Sequence, residues 1–152
     1  MSVSCYARAV RLLAVRPHFR AELKTKLAQR GYPEDEIEAA LDRLTSERFL
    51  DDIQAARGFV AHRLERGGEG RLRLKAELVR RGASEEAIAA ALAEVPEDDL
   101  EAAREVAEKW ARSHRPDPAA LARHLARKGF SHRAIFAVSK LDQLDAAQDE
   151  DL

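Results

Sequence analysis

Five histidines, one cysteine, one adjacent carboxylate pair and one glycine-rich stretch are the residues of this chain whose types could support catalysis, metal binding or phosphate capture. Their spacing argues against each. Asp51 and Asp52 are neighbours. Side chains one apart on a helix diverge by about 100°, so the two carboxylates cannot converge on one proton or metal, and capping a helix start is their expected role. His18, His62, His114, His124 and His132 include no i,i+4 pair and have no cysteine partners, so a metal site is not expected. Cys5 has no Cys/His/Asn arrangement around it and is read as packing or incidental exposure. Gly67-Gly68-Glu69-Gly70 lacks the Gly-Lys-Ser/Thr ending of a phosphate loop and follows no strand, so a flexible turn is expected. No catalytic residue, metal or cofactor is expected, and the chain reads as a binder, not an enzyme.

Binding chemistry is carried by charge. The net charge is −1, but residues 1–30 hold seven Lys/Arg against one acid, 57–81 eight against three, and 109–133 seven against one. Residues 85–101 hold seven acids and no base, and the tail from Asp142 to Leu152 five acids and no base. Alternating blocks point to separate partner-facing regions on a polar surface, with solvated helix faces accounting for the remainder. A tail of that composition is expected to be disordered. A single cysteine excludes a disulfide framework and fits a reducing cytoplasm, and no apolar run approaches a membrane span.

The elements that position these charges are helices. Charged residues make up 35% of the chain and aromatics 5%, leaving little from which to build strands. The sequence repeats itself. Leu23-x3-Leu27-x3-Gly31, Leu74-x3-Leu78-x3-Gly82 and Leu121-x3-Leu125-x3-Gly129 are each followed, six residues after the glycine, by Ile37, Ile88 and Ile135. Upstream, Tyr6, Leu12 and Leu13 correspond at 47-residue intervals to Ile53, Phe59 and Val60, and then to Leu100, Val106 and Ala107. The glycines are 51 and then 47 apart, and the extra residues are assigned to the loop Arg66–Gly70.

Each copy is three helices. Gly31, Gly82 and Gly129 sit where a left-handed residue ends helix two, and Pro33, Ser84 and Ser131 start helix three. Asp117 before Pro118 caps another start. The predicted helices span about 4–15, 19–30, 34–46, 52–66, 71–81, 85–95, 99–113, 118–128 and 132–142. The fold class is all-α: three tandem three-helix repeats in an elongated, curved array, with repeat 1 at 1–48, repeat 2 at 49–97, repeat 3 at 98–141 and the acidic tail at 142–152. The second and third helices of each repeat resemble a helix-turn-helix, but Glu34, Asp35, Glu36, Glu38 and Asp42 in repeat 1 and Glu85, Glu86 and Glu94 in repeat 2 would be repelled by phosphates. Only repeat 3, with His132, Arg133 and Lys140, suits that role. Trp110 aligns with Arg16 and Arg63 of the other repeats and is expected to be a packing anchor, with an exposed contact as the alternative.

The run Phe49-Leu50-Asp51-Asp52-x2-Ala55-Ala56-x2-Phe59-Val60-x2-Arg63, followed by Gly70-x3-Leu74-x2-Glu77-Leu78-x3-Gly82, resembles the central signature of the RecX family. The flanking repeats agree, so the resemblance covers about residues 6–141, although Phe19 stands where the family has a Ser or Thr cap. The resemblance implies a regulatory protein that lodges on the RecA filament formed on single-stranded DNA. It would modulate, most often inhibit, RecA's ATPase and strand exchange in recombination, DNA repair and the SOS response. The chain is expected to be a monomer, with a weak direct DNA contact as a further expectation.

Phe49, Leu50, Asp51, Asp52, Phe59, Val60, Gly70, Leu74, Glu77, Leu78 and Gly82 are then mainly structural. The basic set Arg57, Arg63, Arg66, Arg71, Arg73, Arg80 and Arg81 is expected to face the filament or its DNA, with a structural ion pair as the competing role for Arg63. The rival reading is a helical protein that binds nucleic acid directly, without RecA.

Overall fold

A computed structural model describes residues 2–140. Among them the chain forms α1 (Cys5–Val15), α2 (Arg20–Gln29), α3 (Glu34–Ser46), α4 (Asp52–Arg66), α5 (Arg71–Arg80), α6 (Glu85–Leu92), α7 (Leu100–Ala111), α8 (Pro118–Arg127) and α9 (His132–Ser139), and no strand. The helices fall three to a repeat, within three residues of the predicted bounds. None is long and apolar enough to cross a membrane. The acidic tail lies outside the described residues.

Local chemistry sets the turns. Gly31, Gly82 and Gly129 have φ of 89°, 84° and 87°, the left-handed conformation that ends helix two of each repeat. Ser84 Oγ accepts the Ala87 N–H at 3.2 Å, Ser131 Oγ the Ala134 N–H at 3.1 Å, and Asp117 Oδ1 the Ala120 N–H at 3.0 Å. Phe19 starts α2 without a polar side chain. Glu22 supplies the cap instead, its Oε1 accepting the Phe19 N–H at 3.1 Å, and the Phe19 ring is buried.

Two expectations change. The loops 16–19 and 67–70 are equally long, so the extra residues of repeat 2 are not a loop insertion. They form an added helical turn, Arg63–Arg66, because helix-favouring Leu64 and Glu65 extend α4 until Gly67, at φ 67°, stops it. Nor is Gly67–Gly70 a loose turn throughout. Gly70 is buried, its N–H donating to Lys128 O at 2.7 Å, and Leu72 N–H donates to Gly129 O at 3.1 Å.

The chain divides into two compact units, one holding residues up to Phe59 with Glu77–Glu94, the other Val60–Ala76 with the described residues from Val95 onward. In the first, Ala9, Leu23, Leu27, Ile37, Leu41, Leu44 and Leu50 form a core that also buries Cys5. Burial, and secondarily Glu36, pushes the Cys5 thiol pKa up, so this cysteine packs. In the second unit, Ala103, Leu125, Phe130, Ala134 and Ile135 form the core.

Candidate functional site

Glu69 organises a polar concavity of the second unit. Its carboxylate receives Arg63 Nε at 2.8 Å and Arg63 Nη2 at 3.0 Å, and lies 2.9 Å from Arg73 Nε. All three side chains are held between the last turn of α4 and the first of α5. The Gly70 and Leu72 amides on the Lys128 and Gly129 carbonyls, with Arg73 Nη1 on Arg127 O at 3.1 Å, fix that corner against the α8–α9 turn. The result is a cleft of about 620 Å³ lined by Arg63, Arg66, Arg73, Lys109 and Lys128, with Glu69 and Glu105 as its only carboxylates. Glu69 is taken up by two arginines, whereas Arg66, Lys109 and Lys128 are ion-paired to no described residue. Cations that no described carboxylate pairs, set around a polar hollow, attract a polyanion.

The predicted arginines are divided between the units. Arg63, Arg66 and Arg73 meet in this cleft, and Arg71 begins α5 in the same unit. Arg57, Arg80 and Arg81 belong to the first unit. There Arg57 Nε lies 3.1 Å from Glu94, Arg80 Nη2 donates to Glu77 at 2.7 Å, and the Arg81 guanidinium sits 4.8 Å from the Phe59 ring centroid. The ion pair that competed for Arg63 is therefore present. The Arg57 and Arg80 guanidiniums are well exposed, and such pairs contribute little and exchange easily for a partner's charge, whereas Arg63 is held by two part-buried bonds to Glu69.

Of the signature residues, Leu50, Val60, Leu74 and Leu78 are buried, and the Phe59 side chain is half-buried. Asp51 caps its own helix, Oδ1 accepting the Ile53 and Gln54 N–H groups at 3.0 and 3.2 Å. Asp52 instead serves two other helix starts, accepting Arg20 N–H at 2.8 Å and Ser84 N–H at 3.3 Å. Phe49 departs from a structural role. It is 64% exposed beside a mostly apolar hollow of about 470 Å³ shared with Tyr6, Val10, Leu13, Ala14 and Leu44. The positive φ of Arg48, 64°, turns the chain so that Leu50 enters the core and Phe49 does not.

Sequence reasoning did not assign Lys109 and Lys128 to the site, although the basic stretch 109–133 contained the signal. Nor did it foresee what replaces arginine at Trp110. Arg16 pairs with Glu22 at 2.9 Å and Arg63 with Glu69 at 2.8 Å, each partner six residues on. Trp110, half-buried, stacks instead on the exposed His114 ring, centroids 4.3 Å apart and planes 4° from parallel, with His124 tilted at 6.5 Å. Burial, then the charges of Lys128 and Arg127, holds the His124 pKa below the usual histidine value.

Comparison with known proteins matches two models, described as "RecX, first three-helix domain" over residues 5–44 and "RecX, second three-helix domain" over residues 51–92. A protein named regulatory protein RecX from Xanthomonas axonopodis pv. citri is 39% identical over 142 residues, 91% of this chain and 87% of its own. One of the same name from Pseudomonas fluorescens is 43% identical, covering 80% and 76%. The crystal structure of RecX from Lactobacillus salivarius superposes with a TM-score of 0.77 over 93% of this chain and 95% of that one. At 24% identity it bears on the fold alone.

Proposed function

This chain belongs to the RecX family of regulatory proteins, and from that premise we propose that it binds the RecA filament on single-stranded DNA and lowers its ATPase and strand-exchange activity. The observation that carries the reading beyond the family is the cleft of the second unit. Arg66, Lys109 and Lys128 present positive charge that no described carboxylate neutralises. A nucleoprotein filament offers the complementary surface, with phosphates along its groove. Most arginines of repeat 2 already hold carboxylates, so they strengthen binding where a filament's acidic groups or phosphates displace those weak pairs.

The test is RecA ATP hydrolysis on single-stranded DNA, with the protein added as wild type and as the Arg66→Glu, Lys109→Glu, Lys128→Glu triple variant. The wild type is expected to suppress hydrolysis at concentrations where free DNA remains unbound. The variant, with an unchanged melting temperature, should need about tenfold more protein or greater for the same effect. Equal potency of wild type and a folded variant would remove the cleft from the reading. Tight DNA binding by the wild type with no effect on RecA would favour direct nucleic-acid binding instead.

A further inference from the structure

Repeat 3 differs from its neighbours where an aromatic stack replaces the arginine–glutamate pair. Trp110 and His114 lie one helical turn apart, and His114 Nδ1 is 2.8 Å from Trp110 O, which fixes the imidazole parallel to the indole. The indole is half-buried and the imidazole is exposed, so the stack presents a flat ring to solvent. Basic residues outnumber acids in this stretch, seven Lys/Arg against Asp117 in residues 109–133. None of the seven Lys/Arg of residues 109–133 is ion-paired to a described residue, and Lys109 and Lys128 also line the basic cleft of the same unit. A packing role alone accounts for Trp110. It does not account for an exposed second ring lying parallel to the indole, beside cations that are ion-paired to no described residue.

We propose that the Trp110–His114 stack is a base-stacking platform for single-stranded nucleic acid. One unpaired base lies on His114 while Lys109, Lys128 and Arg66 bind the neighbouring phosphates. Aromatic faces together with a positively charged groove are the chemistry that recognises unpaired strands, because every base has a π-face and every linkage a charge. A duplex keeps its bases stacked on one another and cannot use the ring. The proposal rests on the reading that the second unit meets nucleic acid, and its test omits RecA, so the two can fail separately.

Trp110 is the sole tryptophan, so its emission reports this site alone. The full chain is titrated with a labelled twelve-residue oligothymidylate, with an abasic strand of equal length, and with a duplex. Binding is read from the label's anisotropy and stacking from tryptophan emission. The thymidylate should bind and quench, while the abasic strand binds more weakly without quenching. His114→Ala should weaken thymidylate binding about tenfold, the loss of roughly one stacked base, and leave the abasic strand unaffected. His114→Phe should restore thymidylate binding, which neither a lost charge nor a lost fold would predict. Equal quenching by both strands, an equal loss for both in His114→Ala, or no binding of the thymidylate would each overturn the platform. If RecA inhibition persisted in that case, the functional reading would stand without it.

Discussion

Asp99 holds Ser131 with both carboxylate oxygens, one accepting the serine N–H and the other its hydroxyl, each at 2.7 Å. Asp52 stands 47 residues earlier and accepts the N–H of Ser84, the matching residue of repeat 2. In repeat 1 the corresponding positions are Cys5, which carries no carboxylate, and Pro33, which has no N–H to give. The carboxylate occurs where helix three has an amide to satisfy. Replacing Asp99 with Ala should cost about 1–3 kcal/mol, since it leaves the half-buried Ser131 N–H and hydroxyl without their charged acceptor, and Asp99→Asn less. Chemical denaturation checks this; an Asp99→Ala variant as stable as wild type would mean that water replaces the carboxylate.

Two glycines should respond in an order that their backbone angles do not suggest. Gly31 is left-handed, yet a methyl group there would meet nothing within 4 Å. Gly31→Ala should cost only the conformational term, about 1 kcal/mol. Gly70 has no positive φ, but its methyl group would be driven into the Gly129 carbonyl and the Phe130 amide at 2.7 Å. Backbone cannot give way there without losing the Gly70–Lys128 bond, so Gly70→Ala should lower the melting temperature more than Gly31→Ala. The reverse order would show that the corner repacks freely.

This corner also marks where the sequence stopped being informative. Helices, glycine stops and serine starts were legible because each follows from interactions within four residues, as at Ser84 and Ala87 or Ser131 and Ala134. The role of Gly70 was not, because its reason lies at Gly129, distant in sequence. Asp52 was legible as a cap but not as the cap of α2 and α6. Clustered arginines were legible as charge, but which were paired depended on Glu69, Glu77 and Glu94 being near enough. The same limit hid Lys128, which joins Arg66 only through the fold.

Phe49 and Leu50 are adjacent signature residues that should behave oppositely. Leu50 is 3% exposed in the core of the first unit, and Leu50→Ala should cost about 2–5 kcal/mol. Phe49 is 64% exposed, so Phe49→Ser should stay within about 0.5 kcal/mol of wild type. Urea denaturation of both variants decides it, and a large loss for Phe49→Ser would place that ring in the core after all.

Stability should fall on mild acidification. His18 is buried, its Nε2 accepting from Lys26 Nζ at 2.9 Å and its Nδ1 2.9 Å from Arg16 O. Lysine can only donate, so the ring is neutral with its proton on Nδ1. Burial, with the charges of Arg16 and Lys26 added, holds its pKa below 6.5 against the opposing hydrogen bond to Arg16 and the charge of Glu22. The unfolded chain therefore takes up the proton first. Stability is full above 6.5 and declines as pH falls from there toward the folded-state pKa. His124 shifts the same way. Melts should show a lower transition temperature at about pH 5.5 than at about pH 7.5, and His18→Gln should shrink the difference. An unchanged difference in His18→Gln would assign the effect elsewhere.

Salt dependence should locate the working cations. For single strands, each neutralised phosphate contributes roughly 0.7 to the slope of log affinity against log salt concentration. Lys128, ion-paired to no described residue, should supply such a contact, so Lys128→Ala should lower the slope by about that amount. Arg80 is engaged by Glu77 at 2.7 Å, a contact that favours its charged form and holds its pKa up. Arg80→Ala therefore removes no phosphate contact and should leave the slope near that of wild type. A lower slope for Arg80→Ala together with an unchanged slope for Lys128→Ala would move the interface from the second unit to the first.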